Sequence, residues 1–238
     1  MNQPLRMLTL LSSLVVSLLF SPGAAEAQGT FPGNVAWARL RTDYRHWNRH
    51  ANAETAIVEF IATHTDLQIS PRWEVAEIGD LESLIQYPFL FAEGIHIVKT
   101  PEHRANLREY LLRGGFIFID ACINPSVNSD PDVFLARHLE LFQAILPGSV
   151  ATPVPEDSEL MEAFFRIEGG VPHSYMHSIY DPEWAKHGLY GIYFEGRPVA
   201  LISLSGLKCG WTGLQEWEGH DVLCSQMMVN IYIWAMTR

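Results

Sequence analysis

Residues 107–120 read LREYLLRGGFIFID, and this stretch decides the fold. A helix runs into it from Pro101, a residue well tolerated in a first helical turn, and Leu107, Tyr110 and Leu111 recur on it at helical spacing. Gly114-Gly115 stops the helix. Phe116–Asp120 is then an unbroken apolar run closed by one carboxylate, as expected of a strand covered on both faces. The same pattern recurs on either side. Asn34–Leu40 (NVAWARL) and Pro88–Ala92 (PFLFA) are two more buried strands. Asn52–Thr65, with Ala56, Ile57, Phe60 and Ile61 on one face, is an amphipathic helix. Val133–Leu146 is a helix closed by Pro147-Gly148. Further on, Leu160–Phe165 reads as a short helical piece. Gly191–Phe194 and Pro198–Ser203 read as a hairpin turning near Glu195-Gly196-Arg197, and Val222–Met236 as a closing amphipathic helix. Buried strands separated by helices predict an α/β fold with a largely parallel sheet and helices on both faces. Ala151–Asp157, with Pro153 and Pro155, reads as a loop within one domain.

Composition narrows the class. Of 238 residues, 48% are hydrophobic and 18% charged, which excludes disorder, collagen and coiled coil. Lys and Arg number 16 against 27 Asp and Glu, a formal charge of −11, so the basic footprint of a nucleic-acid partner is missing. The amino terminus has a targeting pattern. Arg6 supplies a positive start, Met7–Phe20 is apolar, and Ala25 and Ala27 occupy the small positions of a cleavage site. Cleavage after Ala27 leaves Gln28 first, with residues 1–27 as signal peptide and 28–238 as a single domain. The apolar stretch is short of the about 20 residues of a bilayer span, so the processed chain is expected to be exported and not membrane-spanning. In an oxidising compartment, Cys122, Cys209 and Cys224 permit one disulfide. Cys209 and Cys224 are the nearest pair; three buried thiols are the alternative.

Ligands of open α/β sheets sit beyond the carboxyl ends of the strands, and those ends are rich in functional side chains here. After the first strand come Arg41, Asp43, Tyr44, Arg45, His46 and Trp47; after the second, Glu93 and His96; after the third, Asp120 and Cys122. Asp120 suits a metal ligand, a general base or a sugar-hydroxyl acceptor, and equally a cap on the following segment or a partner of Arg41. His96 suits acid–base work, metal ligation or a structural hydrogen bond. His173 and His177, four apart, would share a helix face as in zinc sites, or line a pocket without metal. Cys122 raises thiol catalysis, although DACIN lacks the glycines of a nucleophile elbow. Trp211 and Trp217 suit stacking on a flat ligand such as a sugar, or anchoring of their loop. Neither G-x-G-x-x-G nor a Walker A motif occurs, so no nucleotide cofactor is expected.

RLRTDYRHWNRHANAE, YPFLFAEGIH, LREYLLRGGFIFIDAC, GIYFEGRPVALIS and GWTG together resemble the DUF4159 family over most of the chain. The resemblance implies a flavodoxin-like, class I glutamine amidotransferase-like fold, similar also to the trehalose-utilisation ThuA group. It implies that Asp120 and His96 stand at the carboxyl edge of the sheet, with His173 and His177 on a later loop. Members often carry a second acid where this chain has Ala121, and an Asp-His-Pro string where it has Glu156-Asp157-Ser158. Some are encoded near von Willebrand A-type and MoxR-type components, which implies a role in envelope maturation.

The expected function is binding of a small polar molecule or an envelope protein in a cleft lined by Arg41, Tyr44, Trp47, His96, Asp120 and Trp211. The alternative is a hydrolase acting on a carbohydrate or amide through Asp120 and a histidine, with a divalent metal such as zinc on His173 and His177. Thiol catalysis through Cys122 is a third reading.

Overall fold

The computed structural model describes residues 35–121, 130–172, 188–212 and 218–238. Among these, β1 (Ala38–Arg41), β2 (Glu74–Glu77), β3 (Phe89–Ala92), β4 (Phe116–Asp120), β5 (Val150–Pro153), β6 (Leu189–Phe194) and β7 (Arg197–Ser203) form one sheet in the order β2-β1-β3-β4-β7-β6-β5. The first four strands and β7 run parallel; β6 is antiparallel to β7, and β5 to β6. The architecture is flavodoxin-like: the chain steps outward from β1 to β2, then crosses back to β3, which puts the switch point of strand order, where ligands of such sheets bind, at the carboxyl ends of β1 and β3.

Two apolar layers sandwich the sheet. On one face, α2 (Leu81–Leu84), α3 (Pro101–Leu112) and α4 (Pro131–Ile145) bury Leu84, Leu107, Leu111, Phe142 and Ile145 against Leu90, Ile117 and Ile119. On the other, α1 (Asn52–His64), a 3₁₀ turn (Glu159–Glu162), α5 (Leu207–Trp211) and α6 (His220–Met236) cover Trp37, Phe89, Phe91 and Phe118. Alternation along β1 and β4 therefore places Trp37 and Arg39, and likewise Phe118 and Asp120, on this second face.

The 107–120 stretch folds as its residues dictate. Thr100 caps α3 by accepting from the His103 amide at 3.1 Å, with Pro101 in the first turn. Gly114 ends the helix at φ +101°, in the left-handed region. Gly115 is needed for a different reason: a Cβ there would overlap the Tyr110 ring. The Tyr110 hydroxyl accepts from the Phe116 amide at 3.1 Å and sits 3.0 Å from the Phe116 carbonyl, to which it donates, sealing the turn into β4.

The structure corrects several expectations. Ala151–Pro153, expected as the start of a loop, belongs to β5 (Val150–Pro153), an edge strand with all four residues exposed; it carries no apolar run because it buries nothing. Pro153 is tolerated there because an edge strand has one side unpaired. The short strand β2 and the single-turn helices α2 and α5 were not anticipated. Helix α4 starts at Pro131 rather than Val133, because Asp130 accepts from the Asp132 and Val133 amides. Helix α6 is buried around most of its circumference, so it is a core helix rather than an amphipathic one. Cys209 and Cys224 are thiols, not a disulfide; burial pushes the Cys224 thiol up.

Candidate functional site

Four segments meet at the carboxyl edge: loop 42–51 after β1, loop 93–99 after β3, the end of β4, and α5 after β7. Beneath them lies a buried charge network. Arg39 Nη1 donates to Glu54 Oε1 at 2.6 Å, and Arg39 Nη2 pairs with Glu93 Oε1 at 3.2 Å. Lys208 Nζ donates to Glu93 Oε1 at 2.5 Å and stands 3.6 Å from Glu54 Oε1. Both cations lie over the Phe91 ring at 5.6 Å. None of the four side chains is more than 4% exposed. Two positive and two negative charges balance, which is what allows them to be buried at all. Burial still pushes the Glu54 carboxyl up, against the pull of Lys208 and Arg39.

The network holds two pieces of backbone. Arg39 Nη2, at 3.1 Å, and Lys208 Nζ both donate to the Arg49 carbonyl, fixing loop 42–51 from below. Asp120 holds α5: its Oδ2 accepts from the Lys208 amide at 2.8 Å and its Oδ1 from the Leu207 amide at 3.1 Å. Gly206, in the left-handed region at φ +64°, turns those amides toward the carboxylate. Asp120 is 1% exposed, and burial pushes its carboxyl up to about 6 despite these bonds and that of Ser203.

A second histidine-centred group borders the same loops. His138 Nε2 accepts from the Ile95 amide at 3.1 Å, and Nδ1 stands 2.7 Å from the Phe134 carbonyl, to which it donates. Burial holds His138 down to about 3, so it is a neutral clamp between α4 and loop 93–99. The His96 ring packs 4.9 Å from His138 and 5.5 Å from Tyr44, and its buried Nδ1 has no hydrogen-bond partner among the described residues. Burial, then Arg137, lowers its pKa.

Arg41 does not meet Asp120. It pairs with Glu77 at 3.1 Å and lies over the Trp47 ring at 5.3 Å, an exposed rim contact. Tyr44 and His96 share the loop cluster, whereas Asp120 lies beneath α5. Trp211 is core: 4% exposed, edge-on to Phe91, with its Nε1 donating to the Ala53 carbonyl at 3.0 Å. Cys122, His173, His177 and Trp217 lie outside the described residues. Among the described residues no group of three or more His, Cys, Asp or Glu is arranged to hold a metal ion. A cavity of about 220 Å³ opens beside the loop at the first turn of α1, lined by His50, Asn52, Ala53, Ala56 and Thr212. Another cavity, about 410 Å³, is lined by residues between Glu156 and Gly170, none of which belongs to the charge network.

Arg39, Glu54, Lys208 and His138 escaped the sequence reading. Arg39 carried one signal, a charge at an inward position of an apolar strand. Glu54 and Lys208 carried none, being 154 residues apart and joined only by folding.

The family model described as "Domain of unknown function (DUF4159)" matches residues 36–236. The chain belongs to the DUF4159 family. No curated protein matches the sequence. In this DUF4159 domain the matched span contains every strand and helix described above, including both ends of the buried network. Among its described residues no helix is long and apolar enough to cross a membrane.

Proposed function

We propose that this DUF4159 chain is an exported binding domain of the cell envelope. Its ligand is a small polar molecule, or a polar group of a partner protein, taken at the carboxyl ends of β1, β3 and β4. The observation that carries this reading is the double clamp on the Arg49 carbonyl. A buried ion network is a poor source of stability, because desolvation offsets its attraction. What this one does is hold loop 42–51 and α5 in place. A loop ordered in advance loses less entropy on binding, and this loop carries Arg45, His46, Trp47 and Arg49 beside the carboxyl ends of the strands. Asp120 accepts from two amides of α5, a capping role that favours binding over the Asp/His hydrolase reading. Thermal-shift measurement against neutral glycans and organic acids tests the proposal. A ligand that binds the folded chain raises the Tm; a Tm unmoved by every compound overturns it.

A further inference from the structure

Arg45, His46 and Arg49 form a cationic group on loop 42–51 with no carboxylate partner among the described residues. Arg45 Nε donates to His46 Nε2 at 2.7 Å, and Arg49 Nη2 stands 3.2 Å from His46 Nδ1. A guanidinium has only donors, and a neutral imidazole has one acceptor nitrogen. Whichever nitrogen of the neutral ring carries the proton, that nitrogen faces a guanidinium, so one of the two contacts sets donor against donor. Nearby carboxylates are engaged elsewhere. Asp43 accepts from the Lys99 amide and pairs with His103; Glu77 pairs with Arg41; Glu93 pairs with Arg39 and Lys208. In a chain of net charge −11, two arginines left on one imidazole do not follow from an excess of base. The Arg49 carbonyl is clamped from below, which holds that end of the group in place.

We propose that Arg45, His46 and Arg49 form an oxyanion subsite, so that the ligand of the cleft carries a carboxylate or phosphate group. An anionic oxygen placed there accepts from both guanidiniums and from the protonated nitrogen of His46. It replaces the donor–donor contact with charge-assisted hydrogen bonds. This assignment rests on the binding function proposed above and names its ligand class.

Isothermal titration calorimetry on residues 28–238 tests it, with succinate, glucuronate and inorganic phosphate as probes and glucose as the neutral counterpart of glucuronate. At least one anion binds, glucose does not, and Arg45→Gln and Arg49→Gln each weaken that anion by about ten-fold. Arg113→Gln, on the far end of α3, leaves it unchanged. Preference for phosphate over the two carboxylates, or the reverse, separates the two sources of the oxyanion. Binding of none of the anions overturns the subsite, as does anion binding that survives both loop substitutions. If a neutral glycan alone shifts the Tm, the oxyanion subsite falls and the binding function stands.

Discussion

Asp120 and His138 are buried titratable side chains whose effects on stability oppose each other. Burial raises Asp120 from 3.8 to about 6, so between those values the folded chain holds a proton that the unfolded chain has released. Stability from this group therefore falls as pH rises through that window, by up to about 3 kcal/mol. Urea unfolding from pH 4 to 6 is expected to show wild type losing ground to Asp120→Asn, with the gap constant above the window. His138 has the opposite sign. Its pKa is lowered from 6.5 to about 3, so the unfolded chain takes up the proton first and stability falls as pH drops below 6.5. His138→Leu loses the bond to the Ile95 amide and is less stable at neutral pH. Its deficit is expected to narrow as pH falls, and a deficit independent of pH would contradict the neutral clamp.

At the scale of elements, two junctions carry specific demands. The α3–β4 turn requires Gly115 because the Tyr110 ring occupies the space of a side chain. Gly115→Ala is expected to destabilise by about 1–3 kcal/mol through overpacking, measured as a lower urea midpoint with unchanged slope. Gly114→Ala acts differently, through the left-handed backbone alone. The α5–sheet junction depends on charge balance. Lys208→Met leaves Glu93 and Glu54 facing Arg39 alone, and is expected to cost about 3–5 kcal/mol. Adding Glu93→Leu restores a one-to-one balance with Arg39 and Glu54 and recovers part of the loss. A double-mutant cycle showing simple additivity would rule out the coupling.

At the scale of the molecule, the proposed export makes a direct prediction. The chain produced with its leader in a bacterial host is recovered outside the cytoplasm, and amino-terminal sequencing begins at Gln28. Retention of residues 1–27 on the recovered protein contradicts it. The thiols belong to the same scale. With Cys209 and Cys224 reduced in the fold, native-state alkylation is expected to spare Cys224, which is buried beside Gly210.

Strands β1, β3 and β4, the β6–β7 hairpin, the helices α1, α3 and α4 and the Gly-Gly turn were legible in the sequence, because each follows a local pattern that marks its type. Strands β2 and β5 were not legible: the first is short and half polar, the second exposed throughout. The strand ends were legible as a place, since Tyr44, Glu93, His96 and Asp120 each follow or close an apolar run. Their roles were not. Whether Asp120 faces a ligand, Arg41 or a helix amide depends on where α5 lands, 87 residues later. The pairing of Arg39 and Lys208 with Glu54 and Glu93 was equally beyond local pattern. Periodicity records which side of an element is buried; only the packed fold brings distant charges within reach of one another.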